Sequence, residues 1–212
     1  MHYPIDHGEQ PIRLFKSDFL EFFTHITPAA VLVIWSPVVV FFLVRAVMMI
    51  QATSASWLIL PAAFVIGLVL WTFSEYMLHR FLFHYQPKSE RAQKIFYLFH
   101  GVHHHQPQCK TRLVMPPVVS IPMALIIYGL FVLIFNVLLR IPAWLPATFA
   151  GFMVGYLCYD MIHYATHHFA MRNGIWKELK RYHLKHHYKT PEQRFGVSSP
   201  LWDIVFGTRP TA

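Results

Sequence analysis

Residues Trp144–His168 read WLPATFAGFMVGYLCYDMIHYATHH. The apolar part, from Trp144 to about Ile162, is long enough to cross a bilayer, which takes roughly 20 helical residues. It runs straight into His163, His167 and His168. Residues at i and i+4 share a helix face, so His163 and His167 point the same way from the end of this span. Neutral imidazole is the commonest side-chain metal ligand. A membrane helix that ends in a pair of imidazoles sets the terms on which the rest of the chain is read.

The same pairing of apolar run and histidines recurs. Three further stretches have the length and apolarity of membrane helices: about Ala29–Ile50, Trp57–Met77 and Val118–Leu139. The chain is 55% hydrophobic and only 13% charged, where a soluble chain carries about a quarter. Four such spans in 212 residues exclude an ordinary soluble enzyme. The connections Gln51–Ser56 and Arg140–Ala143 are short, so the spans form two tight hairpins separated by a long polar excursion. The expected fold is an all-α integral membrane protein, a single domain over residues 1–212, with four transmembrane helices in two hairpins and a helical cap.

Sixteen of the 18 Lys and Arg residues lie in the N-terminal segment, the Arg80–Arg112 excursion or the tail after His163; Arg45 and Arg140 are the exceptions. By the positive-inside rule, both termini and the excursion face the cytoplasm. The start, MHYPIDHGEQ, is polar, and no removable signal peptide is expected. Cys109 and Cys158 suggest no disulfide framework. A net charge of +8 concentrated on one side of a membrane protein points to anionic lipid headgroups rather than nucleic acid. Arg112, Lys177, Lys180, Arg181 and Lys185 are read as headgroup-facing, with recognition of a redox partner as a secondary role.

Twelve of the 15 histidines fall in four clusters: His79 with His84; His100 with His103, His104 and His105; His163 with His167 and His168; and His183 with His186 and His187. Topology gathers all four on one side of the membrane, where they exceed what a single tetrahedral site uses. A two-metal centre is the economical reading. His100, His103 and His104 repeat the H-x-x-H-H spacing of His183, His186 and His187, so each triplet can present three imidazoles from one helical stripe. His79 and His84 are five apart, which requires either that one lies beyond the helix end or that the helix is distorted there. His105 and His168 point off the shared stripes, and His2, His7 and His25 are isolated. Glu75, four before His79, and Asp160, three before His163, are placed to accept an imidazole N–H and fix a ligand's tautomer. Asp203 in the tail is a weaker candidate for that role.

These residues resemble the membrane-bound fatty acid hydroxylase superfamily, which includes sterol desaturases and methyl-sterol oxidases, and within it most closely the fatty acid 2-hydroxylases. The stretches EYMLHRFLFH (Glu75–His84), HGVHHHQPQCKTRLVMPP (His100–Pro117), YDMIHYATHH (Tyr159–His168) and YHLKHHYK (Tyr182–Lys189), with the tail WDIVFGT (Trp202–Thr208), look like the family's histidine boxes in order. The resemblance implies ten metal ligands: His79, His84, His100, His103, His104, His163, His167, His183, His186 and His187. It also implies two iron ions, with zinc as a stand-in in purified protein, and O2 as cosubstrate. The 212 residues leave no room for the cytochrome b5 domain that many relatives carry, so a separate cytochrome b5- or ferredoxin-like donor is expected. The segment Gln106–Lys110 departs from the family pattern and puts that loop's substrate contacts in doubt.

The expected function is hydroxylation of the acyl chain of a fatty acid or lipid, at the 2 position if the carboxyl or amide end docks beside the metals. On the same scaffold the alternatives are desaturation, sterol oxidation or hydroxylation of an intact membrane lipid. A non-enzymatic metal-binding membrane protein is the alternative from a different class. A transporter places ionisable ligands near the bilayer midplane, whereas these histidines follow the apolar runs.

Overall fold

The computed structural model describes residues 4–8 and 10–210 and is helical throughout, with no strand among those residues; His2 lies outside them. The four apolar stretches form helices over Pro28–Thr53, Ile59–Phe83, Pro117–Leu138 and Pro142–His168, each long and apolar enough to cross a membrane. Their α-helical parts are α2 (Pro28–Thr53), α3 (Ile59–Met77), α6 (Pro117–Val132) and α7 (Leu145–His168). A short α1 (Asp18–Phe22) precedes them, α4 (Glu90–Phe96) and α5 (Val102–His105) fill the excursion, and α8 (Gly174–Tyr188) and α9 (Leu201–Val205) form the tail. The second and fourth spans overrun their expected ends, continuing to Phe83 and His168.

The chain divides into two compact units. One comprises Ala29–Trp71 and Met115–Cys158, and contains both tight links and only two charged residues, Arg45 and Arg140. The links end their helices with a non-glycine residue in the left-handed region, Ser54 (φ 52°) and Arg140 (φ 56°). After Ser54, the Ala55 N–H returns to the Ile50 carbonyl at 3.1 Å, which satisfies an otherwise orphaned helix-end acceptor.

Glycine sets the packing in this unit. A Cβ added to Gly67 would lie 2.0 Å from the Thr148 carbonyl oxygen, and one added to Gly151 would lie 2.0 Å from that of Phe64. At Gly155 it would meet Trp71 Cβ at 2.5 Å. The backbones of α3 and α7 therefore touch along a Gly-x-x-x-Gly face, the small-residue contact that lets membrane helices pack closely. Trp71 flanks the seam, edge-on to Phe152 at 5.1 Å and Tyr156 at 5.4 Å between centroids. In the fourth span 78% of the apolar window is buried, against 17–28% in the others, so α7 is the central helix. Outer residues such as Val33, Val40, Phe41, Leu125, Ile126 and Leu138 are exposed, as a lipid-facing surface requires.

The other unit takes in the N-terminal segment to Pro28, Thr72–Val114 and the chain from Tyr159 onward, and holds all ten proposed ligands. Its N-terminal segment is fastened to the excursion by buried polar groups. Gln106 receives the Ile12 N–H at 2.8 Å and donates to Asp6 at 2.6 Å and to the Gln10 carbonyl at 3.0 Å. Arg112 is buried, contrary to its reading as a headgroup-facing charge. Its guanidinium is neutralised by Glu21 and donates to the Ile12 carbonyl, because a charge this buried must be paired. His25, isolated in sequence, bonds Thr111 Oγ1 at 2.8 Å in the same network.

Candidate metal centre

The second span does not end as an α-helix. Leu78–Phe83 form a π-helix, and the His84 N–H bonds the His79 carbonyl, five residues back, at 3.1 Å. The wider turn brings residues five apart onto one face, a device common at functional sites. Of the two arrangements the spacing allowed, both occur, since the helix is distorted and His84 lies just past its end. The ring centroids of His79 and His84 are 4.9 Å apart. A second π turn, Tyr97–Gly101, carries His100 and leads into α5 with His103 and His104. The end of α7 supplies His163 and His167, and α8 supplies His183, His186 and His187.

The ten histidines meet as two groups of five. His79, His84, His100, His104 and His186 form one; His103, His163, His167, His183 and His187 form the other. Within each group the ligand atoms lie within 4.8 Å of one another. His105 and His168 fall outside both: His105 Nδ1 bonds Tyr97 OH at 2.8 Å, and His168 packs on Tyr164 at 4.6 Å between centroids.

Each H-x-x-H-H triplet is shared rather than presented as a single stripe. His100 and His104 go to the first group and His103 to the second; His183 and His187 go to the second and His186 to the first. Each group is thus built from two pairs and one single residue, the first from His79/His84, His100/His104 and His186, the second from His163/His167, His183/His187 and His103. On a helix, residues four apart differ in direction by only about 40° and stay with one group. Residues three apart differ by about 60° and adjacent ones by about 100°, enough to aim their rings at two points.

The chemistry of the donor set fits a metal pair. Facing Nε2 atoms stand 2.9–3.1 Å apart: His79 and His100, His104 and His100, and His186 and His84 in one group, His163 and His103, His103 and His187, and His167 and His183 in the other. Two nitrogens bound about 2.1 Å from one ion at right angles are separated by about 3.0 Å. All-imidazole donors suit iron, copper, nickel or zinc.

The imidazoles are held in the neutral form that metals bind. Burial, then the neighbouring His79, pushes the His84 ring down to about 2. Burial first, and crowding by other imidazoles second, also holds His100, His103, His104, His183, His186 and His187 well below the ordinary histidine value.

In the first group, backbone carbonyls fix the tautomer. His79 Nδ1 donates to the Phe195 carbonyl at 2.5 Å and His186 Nδ1 to that of Gln193 at 2.7 Å. A carbonyl only accepts, so the proton sits on Nδ1 and the Nε2 lone pair faces the group. In the second group, the Nδ1 atoms of all five histidines are buried without a hydrogen-bond partner among the described residues.

Glu75 and Asp203 act through this loop. Glu75 accepts from the N–H groups of Val197 at 2.6 Å and Ser198 at 2.8 Å, and from the Ser198 hydroxyl. Asp203 accepts from the N–H groups of Phe195 at 2.9 Å and Gly196 at 2.8 Å, and from Thr208 Oγ1 at 2.7 Å. The tautomer partner of His79 is therefore a carbonyl of the loop that Glu75 and Asp203 hold, rather than the Glu75 carboxylate. Gly196 is obligatory there, since a Cβ would fall 2.0 Å from the Ser199 carbonyl oxygen. Arg80 donates to Tyr76 OH at 2.6 Å. Asp160 is fully buried in α7, three residues before His163. A small cavity lined by Gln86, Gln93 and Phe96 reaches His84, His100 and His104. Sequence reasoning missed Phe195 and Gln193, because the group each contributes is a main-chain carbonyl.

The model of the fatty acid hydroxylase family matches residues 64–208. A dihydroceramide fatty acyl 2-hydroxylase of Arabidopsis thaliana is 43% identical over 211 residues, covering 100% of this chain and 85% of the relative. A ceramide very long chain fatty acid hydroxylase of Saccharomyces cerevisiae is 40% identical, covering 98% of this chain and 52% of the relative. A fatty acid 2-hydroxylase of Mus musculus is 36% identical, with 98% and 58% covered. Among solved structures, full-length scs7p, of which only the hydroxylase domain is visible, matches with a TM-score of 0.80 at 40% identity, over 92% of this chain and 70% of that one.

Proposed function

The chain belongs to the fatty acid hydroxylase family, and we propose that it is a di-iron monooxygenase that places a hydroxyl on the 2 carbon of a fatty acyl chain. The observation that carries this is the five-and-five division of buried or half-buried imidazoles, drawn from the ends of two membrane helices, from the excursion and from α8. Two bound irons would supply the oxygen-activating chemistry. The reaction joins R–H, O2, two electrons and two protons into R–OH and water. A separate carrier protein supplies the electrons.

The protein's own residues hold and orient. The ten histidines bind the metals through Nε2, with His79 and His186 locked in the binding tautomer by Phe195 and Gln193. The second group is wholly buried, and in the first only His84 and His104 are half-buried, which limits the access of bulk water to the reacting centre. An acyl chain whose polar end stays at the membrane boundary presents the adjacent carbon first, and such positioning selects the 2 carbon. The basic residues favour a cytoplasmic location for this unit and both termini.

The test is lipid mass spectrometry on a host expressing the wild type beside His163→Ala, with iron supplied. A gain of one oxygen at the acyl 2 carbon, absent from the variant, supports the proposal and identifies the lipid pool. Oxygen at another carbon, or a new double bond, moves the reaction elsewhere on the same scaffold. No product once a donor is supplied ends the proposal.

A further inference from the structure

α8 is two-sided. One side carries the ligands His183, His186 and His187, all buried. The other carries Lys177, Lys180, Arg181 and Lys185, and Lys189 continues the row past the helix end. These five cations rim a shallow open groove whose floor is formed by Met171, Leu184 and Tyr188. Lys180 donates to the Phe169 carbonyl at 2.8 Å. Lys177, Arg181, Lys185 and Lys189 have no intramolecular ion pair among the described residues. The only acid on the helix, Glu178, lies outside the groove. So many unneutralised cations around an apolar floor form a surface complementary to an anionic partner.

We propose that this face is the docking surface for an acidic electron-carrier protein, a reading that rests on the oxygenase function above. α8 lines the groove and also contributes His186 to one histidine group and His183 and His187 to the other. A helix with its side chains is about 10–12 Å across. A carrier seated in the groove thus rests on the helix whose other side supplies ligands to both histidine groups. Small redox encounters use limited contact areas steered by charge, which matches an apolar floor with a cationic rim. The α8 side chains best suited to entering a bilayer, exposed Ile175 and Trp176, lie outside the groove.

The experiment uses the metal-loaded protein in phosphatidylcholine nanodiscs, with the soluble acidic haem domain of a cytochrome b5 as probe. Binding to the wild type should weaken as salt rises. It should weaken at least ~10-fold in Lys177→Glu/Arg181→Glu and stay within ~2-fold in the control Lys88→Glu/Arg91→Glu. Product formation driven by ascorbate and a small mediator dye should be equal in all three proteins. Equal binding by wild type and the α8 variant, no binding by the wild type, or loss of dye-driven product in the α8 variant alone would each overturn the docking surface. So would loss of wild-type binding in discs containing one-fifth phosphatidylserine, which would assign the face to lipid headgroups. Absence of dye-driven 2-hydroxy product in every protein would instead count against the oxygenase reading, while binding still decides the docking face.

Discussion

His186 and His187 are neighbours in the chain, yet their rings stand at 90° with centroids 5.7 Å apart and belong to different histidine groups. His187 instead stacks on His104, from the other group, at 4.1 Å between centroids. The two groups share walls, so one helix positions both.

Replacing either neighbour should therefore empty a different site. His186→Ala is expected to lower metal content mainly in the group of His79, and His187→Ala mainly in that of His163, each taking hydroxylation to background. Metal analysis with spectroscopy that distinguishes the two ions checks this. Identical spectra from the two variants would contradict the division.

Glu75→Gln should loosen the Phe195–Ser198 loop and, through it, His79. Losing hydrogen bonds to a buried carboxylate costs on the order of 1–3 kcal/mol. Metal affinity is expected to fall roughly 10- to 100-fold, the usual effect of disturbing a ligand's supporting partners. The loss should be confined to the group of His79, and Asp203→Asn should behave alike. Thermal unfolding with and without metal, read beside metal content, separates the two effects; equal loss from both groups would argue for general damage.

Acid should destabilise the metal-free protein. His84 and the other buried imidazoles outside the spans have folded-state values below the ordinary 6.5. Below about pH 6.5 the unfolded chain takes up protons that the folded chain refuses, so stability falls as pH drops and levels off above that value. Each such group contributes at most about 1.4 kcal/mol per pH unit within its window. Denaturation in detergent between roughly pH 8 and 5 measures the slope; a flat profile would refute the burial argument.

Gly151→Ala should destabilise the helical bundle by on the order of 1–3 kcal/mol through overpacking against Phe64. Gly129→Ala is the matched control, since nothing lies within 4 Å of its added Cβ. It should be neutral or stabilising by up to about 1 kcal/mol. Unfolding midpoints in detergent compare them, and equal midpoints would disprove the backbone contact.

Two features of this protein can be read in one dimension. The four spans are legible because crossing a bilayer demands a predominantly apolar composition, and the four histidine clusters because imidazole chemistry demands that residue type, with the family resemblance narrowing them to ten ligands. The sharing of each triplet between two histidine groups is not legible, since it depends on how α5, α7 and α8 are turned toward one another. The His79/His84 spacing left open a helix end between them or a distortion; the π-helix is a property of the folded backbone. Phe195 and Gln193 left no trace, because every residue has the same carbonyl, and only the tertiary structure places those two on ring nitrogens. Glu75 and Asp203 stood out as acids, but their partners are main-chain N–H groups and hydroxyls, distant in sequence for Glu75 and within eight residues for Asp203. The reading of Arg112 as a surface charge was overturned because Glu21, 91 residues away, pairs with it in the interior. Composition fixes what a side chain can do, and long-range packing fixes what it meets.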